Sequence, residues 1–182
     1  MPEHDLERLW EAHCRYEFET RDVDATMDTM VAGPYVNHIP TMTGGVGHDE
    51  LKRFYKYHFI GVNPPDFRLT PVSRTIGVDR IVDEFVVHFT HTTHIDWMLP
   101  GIAPTGRSVS VPTVAIVQFT DGKLVHEHIY WDQASVLVQI GLLEPRGLPV
   151  VGTEAAQKVM DKTLPSNTLM QEIWRTSAAK PI

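Results

Sequence analysis

The stretch GKLVHEHIYWDQASVLVQIGLL, Gly122 to Leu143, spaces His126, His128, Tyr130 and Asp132 two residues apart. On a strand, alternate residues share a face, so two imidazoles, a phenol and a carboxylate would form one row. Lining a cavity, such a row could move protons. A carboxylate at its end, beside aromatic groups, is partly desolvated. Desolvation raises its pKa toward the range a general acid or base needs near neutral pH. On a solvent face, the same alternation would be an ordinary hydrated surface.

The preceding residues predict which way the row points. TDGK reads as a hairpin turn, because Asp-Gly tolerates the positive φ angles of a type I′ turn. A two-residue turn at Asp121-Gly122 pairs Phe119 with Leu124. Counting outward, Val117 lies opposite His126, Ala115 opposite His128, Thr113 opposite Tyr130 and Val111 opposite Asp132. Opposed residues share a face. Turned to solvent, this face would leave Phe119, Val117 and Val111 in water, so it is expected to be a pocket wall. The other face carries Val114, Ile116, Val125, Ile129 and Trp131. It needs its own cover, from C-terminal helices or from a second copy of the chain.

Three helices and one short strand precede this hairpin. Residues 5–19 show a helical stripe of Leu6, Leu9, Trp10, His13 and Tyr16. Asp22 reads as the N-cap of a second helix, with Val23, Met27, Met30 and Val31 inward. GPYVNHIP predicts a short strand, TGGVG a flexible turn, and residues 48–59 a helix with Leu51, Phe54, Tyr55 and His58 inward. After Pro65 the period changes to two. DFRLTPVSRTI, RIVDEFVVHFTHTTH, RSVSVPTVAIVQF and the opening stretch predict four antiparallel strands. The expected fold class is α+β, a curved sheet with helices on one face. Residues 1–143 form the expected domain. Residues 144–182 read as a helical extension, with candidate helices near 153–163 and 167–176 and Leu169, Met170, Ile173 and Trp174 as a stripe.

Composition narrows the partners. The chain has 182 residues, 16 basic and 23 acidic, for a net charge of −7. Nucleic acid and anionic membranes are therefore not expected partners, and no apolar run approaches the ~20 residues of a membrane span. MPEHDLERLW is charged and helical, unlike a signal peptide. Cys14 is the sole cysteine, which excludes an internal disulfide and fits a reducing cytoplasm.

Other clusters invite a metal reading. On a strand, His88 and His94 share a face and His91 takes the other, so the three do not converge on one ion. His126-x-His128 is a better pair, with Asp132 or His91 as third ligand. Hydrogen bonding is the expected role of these imidazoles, with no metal. His13 and Tyr16, on the first helix, are core groups or pocket lining. One of Asn37 and His38 is expected to face the pocket. Trp97, in a long loop, could serve as a lid.

GIAPTGR, a strand, FTDGKLVHEHIYWD and LVQIGLL together resemble the SnoaL-like polyketide cyclases of the nuclear transport factor 2-like superfamily. The resemblance covers residues 5–143. It implies a cone-shaped α+β barrel with a deep pocket, often dimerised through the sheet, and acid/base aldol closure without metal or cofactor. It also implies that Asp132 is the acid/base and that His91 matches a contributing histidine. The chain departs from the pattern at His126 and His128, where many members carry Glu and Trp. That leaves the polyketide substrate open. No nucleophile elbow G-x-S-x-G is present, and Cys14 on the first helix reads as packing.

The expectation is thus a homodimeric, cofactor-independent small-molecule enzyme. Asp132, His128 and His91 are the catalytic candidates. His13, Tyr16, Asn37, His38, Trp97, His126 and Tyr130 are the binding candidates. A non-catalytic binding protein of the same fold is the alternative, and a metal-dependent lyase or hydrolase trails.

Overall fold

The computed structural model describes residues 5–181. Helix α1 (Leu6–Phe18) begins where the Asp5 carboxylate accepts from Arg8 N at 3.1 Å. This is the side-chain capping that satisfies an orphan amide. Its buried stripe is Leu6, Trp10, His13 and Glu17, so a carboxylate lies on the apolar side. Helix α2 (Val23–Asp28) is capped in the same way by Asp22.

Strand β1 (Met30–His38) starts earlier than the sequence suggests, and Met30 and Val31 belong to it rather than to α2. Residues expected to be a flexible turn form strand β2 (Thr43–Val46), paired with β1 through Val36 and Gly45. Gly44 makes this possible. Its φ is 142°, and a Cβ there would lie 2.0 Å from the Val36 carbonyl oxygen. Helix α3 (His48–Phe54) runs on through a wider π-turn over Tyr55–Phe59. That turn brings Phe59 inward. It leaves His58 half-buried against Asp96, at 3.0 Å.

Strands β3 (Arg68–Ile76), β4 (Arg80–Thr90), β5 (Ser108–Thr120) and β6 (Lys123–Trp131) complete a six-stranded sheet ordered β2-β1-β6-β5-β4-β3. All pairs are antiparallel except β1 with β6. The sheet is curved and unclosed, because β2 and β3 are edges that do not meet. The first three helices cover its concave face, and the core lies between them.

The hairpin β5–β6 turns at Asp121-Gly122, where φ is 48° and 73°. Phe119 opposes Leu124, as expected. A β-bulge then inserts Val125, so Gln118 opposes His126, Val117 opposes Glu127 and Ala115 opposes Ile129. An extra residue inverts which face each later side chain takes. The expected row of His126, His128, Tyr130 and Asp132 is thereby overturned. Glu127, Ile129 and Trp131 point into the core, and Glu127 is 4 % exposed. The inward set expected on β5 (Val111, Thr113, Ala115, Val117 and Phe119) is buried.

On the convex face, α4 (Gln133–Gln139) and α5 (Glu154–Met160) lie against β5. The Gln139 side chain bonds both the N–H and the carbonyl of Ser110, at 2.8 and 3.0 Å. A 3-10 turn (Thr168–Met170) and helix α6 (Gln171–Thr176) leave Leu169, Met170, Ile173 and Trp174 exposed, so that stripe is not packed on its own chain. No helix among the described residues is long and apolar enough to cross a membrane.

Candidate active site

A small pocket opens between the concave face and the helices. Its walls are mostly apolar, yet three carboxylates line it: Glu17 from α1, Asp83 from β4 and Glu127 from β6. Buried carboxylates are costly unless paired, and each of these has found partners.

Asp83 is held by Arg74, whose Nε and Nη2 donate to its two oxygens at 3.0 Å each, and by Trp10 Nε1 at 2.7 Å. Glu17 and Glu127 share one histidine. His13 Nε2 lies 3.1 Å from Oε1 of each. Its Nδ1 lies 2.6 Å from the Thr29 hydroxyl oxygen. Because that hydroxyl donates its own proton to the Thr26 carbonyl at 2.6 Å, it accepts from Nδ1–H. Both ring nitrogens are therefore donors, and the ring is an imidazolium. Trp10 stacks on it at 5.6 Å between centroids, a contact that favours a cation. Tyr55 donates its hydroxyl to Glu127 Oε1 at 3.2 Å.

The ionisation follows from these contacts. Burial alone would discharge His13, but the charges and hydrogen bonds of Glu17 and Glu127 outweigh it and raise the pKa to about 10. Burial pushes the Glu17 carboxyl up against the opposing pull of His13, and the charge of Glu127 pushes the same way. The group thus holds an imidazolium between two carboxyl groups, with burial favouring the protonated form of Glu17. Burial also pushes the Tyr55 phenol and the Cys14 thiol well up, each helped by the two glutamates. Cys14 stays a thiol, which is a poor nucleophile.

His38 faces the same pocket among Phe54, Phe59, Trp97 and Trp131, with ring centroids at 4.9–5.8 Å. Burial lowers its pKa to about 4, against the pull of the Thr43 carbonyl and Glu127. It is a neutral ring. Nδ1 donates to Thr43 O at 3.2 Å, which leaves Nε2 as an acceptor. Asn37 takes the other face, opposite His128. Trp97 is a wall of the pocket rather than an exposed lid. It is 3 % exposed, and its indole N–H donates to Asn63 at 2.9 Å.

The other expected site residues are not gathered here. His126 and His128 stack at 4.5 Å on the convex face, with Tyr35 against His128 and a 41 % exposed Tyr130 beyond. Asp132 is exposed and caps α4, accepting from Ser135 N at 3.2 Å. His91 is buried at the end of β4, where Nδ1 accepts from Thr105 N at 3.3 Å. Tyr16 lies in an outer groove beside Arg15 rather than in the pocket.

Sequence reasoning missed Glu17, Asp83, Glu127 and Tyr55. Glu17 follows His13 by four positions on a buried stripe, a signal open to inspection. Asp83 sits at an inward position of the alternating IVDEFVV run. Glu127 was hidden by the bulge. His13 Nε2 and the two glutamates offer one nitrogen and two oxygens within 4.8 Å, a set that could take a cation. The proton on Nε2 already fills that place, so the geometry is that of an ion triplet.

The SnoaL-like domain family profile matches residues 10–127. No curated protein sequence matches the chain significantly. A candidate SnoaL-like polyketide cyclase from Jannaschia sp. CCS1 superposes with a TM-score of 0.56 at 20 % identity, covering 76 % of this chain and 94 % of that one. An NTF2-like protein of unknown function from Burkholderia pseudomallei gives 0.55 at 21 % identity, over 75 % and 96 %. A hypothetical protein with a ketosteroid isomerase-like fold from Catenulispora acidiphila, in complex with trimethylamine, gives 0.57 at 15 % identity, over 74 % and 93 %. Likenesses at these identities establish the fold. Together with the profile match over most of the domain, they place this chain in the SnoaL-like family, on the nuclear transport factor 2-like fold.

Proposed function

We propose that the chain is an enzyme acting on a carbonyl compound by acid/base catalysis without a cofactor, and that Glu127 and Glu17 do the work. The carrying observation is the pair of pocket-lining carboxylates bridged by one buried imidazolium. Groups of one kind held in opposite protonation states provide a base and an acid in one site. In this reading, the Glu127 carboxylate takes a proton from the carbon beside the substrate carbonyl. Glu17 donates its carboxyl proton in a hydrogen bond to the enolate oxygen that forms. The enolate then takes a proton at another carbon, which is isomerisation, or attacks a second carbonyl, which is aldol closure. His13 bridges the two carboxyl groups, and neutral His38 can accept from a substrate hydroxyl. The protein is expected to work as a cytoplasmic homodimer on small molecules.

A non-catalytic binding protein is the second reading. It is favoured by the depth of the triplet, in which Glu17 and Glu127 are only 3 % and 4 % exposed. Deuterium exchange decides between them. Cyclic ketones and 1,3-diketones are incubated with the protein in D2O, and α-proton loss is followed by NMR. Catalysed exchange that falls about 100-fold or more in Glu127→Gln supports the enzyme. Binding without exchange supports the second reading. Stoichiometric metal in purified protein, required for exchange, would contradict the cofactor-free mechanism.

A further inference from the structure

The pocket shares a wall with a second, outer groove between α1 and β3. Cys14, Phe18, Phe67 and Leu69 line both spaces. All four are half-buried, as a wall between an inner and an outer space must be. The Asp83–Arg74 pair crosses the same boundary, with its carboxylate on the pocket and its guanidinium on the groove.

The groove differs in charge from the rest of the chain. Its charged walls are Arg8, Arg15, Arg68 and Arg74 against Glu11 and Glu19. Positive groups are thus in excess there, although the chain as a whole carries −7. Arg74 is occupied by Asp83, Glu7 and Glu11. The other three arginines are exposed, and among the described residues none lies within ion-pair distance of a carboxylate. Arg68 donates to the Thr70 hydroxyl at 3.3 Å, and the Arg15 guanidinium lies over the Tyr16 ring at 5.3 Å. Asp66, two residues before Arg68, accepts from Thr90 N at 3.1 Å and is not part of the groove wall.

Two of these arginines stand at the shared wall. Phe67 stacks on Phe18 at 5.5 Å between centroids, while Arg74 reaches Glu7 and Glu11. Helix α1 and strand β3 therefore run in opposite directions along the groove. Arg68 follows Phe67, and Arg15 lies one helical turn before Phe18, so both belong to the Phe18–Phe67 end. Arg8 is two turns further along α1, about 10 Å away. The planar guanidinium fork matches a carboxylate or a phosphate in paired hydrogen bonds.

We infer that the Arg15–Arg68 end of the groove holds an anionic group of the substrate, a carboxylate or a phosphate, while the carbonyl end of the same molecule enters the pocket. The inference rests on the reading of the pocket as the catalytic site, and it makes the substrate a keto acid or keto phosphate. The charges suit this division. An anion is repelled by Glu17 and Glu127 inside and attracted by the arginines outside. The small pocket then has to admit only the reacting end.

Isothermal titration with 6-oxoheptanoate, its methyl ester, 5-oxohexyl phosphate and acetate tests this. One of the two keto anions should bind about tenfold tighter than the uncharged ester, and the tighter of them identifies the anion. It should also bind about tenfold tighter than acetate, which has no carbonyl end to place in the pocket. The advantage over the ester should shrink as salt rises from about 0.01 M to about 1 M, where screening shortens from about 30 Å to about 3 Å. Arg15→Gln and Arg68→Gln should each weaken the preferred keto anion about tenfold and leave the ester unchanged. Arg53→Gln makes the same change of net charge on the exposed side of α3 and should alter neither.

Equal affinities for ester and keto anions overturn the inference. So does keto-anion affinity unchanged in both groove variants, or weakened as much by Arg53→Gln. Acetate bound as tightly as the keto anions would make the groove an anion patch separate from the pocket, which also overturns it. Binding is read here without turnover, so these outcomes are distinct from the catalytic reading, which stands or falls on deuterium exchange in Glu127→Gln.

Discussion

At the scale of residues, the central feature is one imidazolium between two carboxyl groups, all three buried. Removing the middle of such a triplet leaves unpaired buried charge, so His13→Ala should cost about 3 kcal/mol or more in urea unfolding. The pH dependence has a definite sign. His13 has a folded pKa near 10, above its ordinary 6.5. Its stabilisation is fully present below about pH 6.5 and is lost as pH rises through about 10. Glu17, also raised, contributes stability that is lost as pH rises above its ordinary 4.5. His38 acts in the opposite sense. Its folded pKa is about 4, so its contribution is present above pH 6.5 and is lost as pH falls toward 4. Urea midpoints across pH 4–10 should therefore fall on both sides. His38→Gln should flatten the acid limb alone, and an acid limb unchanged by that variant would contradict the assignment.

At the scale of elements, β4, β5, the buried stripe of α1 and the hairpin turn were legible because period and turn chemistry are local. Trp10 and His13 on α1, and the inward set on β5, could be read from spacing. The face of β6 could not, because a single bulged residue at Val125 reverses parity and leaves no trace in an alternating pattern. His126 and His128 therefore read as a pocket wall while Glu127, between them, is the inward group. Asp132 illustrates the same limit at a helix start, where a catalytic carboxylate and an N-cap have one residue type. Its side chain accepts from Ser135 N, so Asp132→Asn should unfold within about 0.5 kcal/mol of wild type, since Asn caps as well as Asp. TGGV was misread because its glycines suggest freedom, whereas they permit close approach of β2 to β1. Gly44→Ala places a methyl against the Val36 carbonyl in a backbone conformation that alanine avoids. It should destabilise by about 2 kcal/mol or more. A loss under about 0.5 kcal/mol would show that β2 is a loosely held turn.

At the scale of the whole molecule, the extension covers part of the convex sheet face and leaves apolar surface on both sides of itself. Val82 and Tyr130 are 38 % and 41 % exposed, and α6 presents Ile173 and Trp174 at 71 % and 55 %. Exposed apolar surface of this kind seeks cover, and the expected cover is a second copy of the chain. Light scattering at micromolar concentration should give twice the 20.6 kDa chain mass, and a monomer at that concentration would contradict it. The concave side carries the central claim, that proton transfer belongs to the Glu17–His13–Glu127 triplet and not to the row ending at Asp132. The direct test compares α-proton exchange of one ketone substrate by Glu127→Gln and Asp132→Asn, with folding checked for both. The account predicts that Glu127→Gln loses about 100- to 10,000-fold in exchange rate while Asp132→Asn stays near wild type. Full exchange by Glu127→Gln, with the loss appearing in Asp132→Asn, would contradict it.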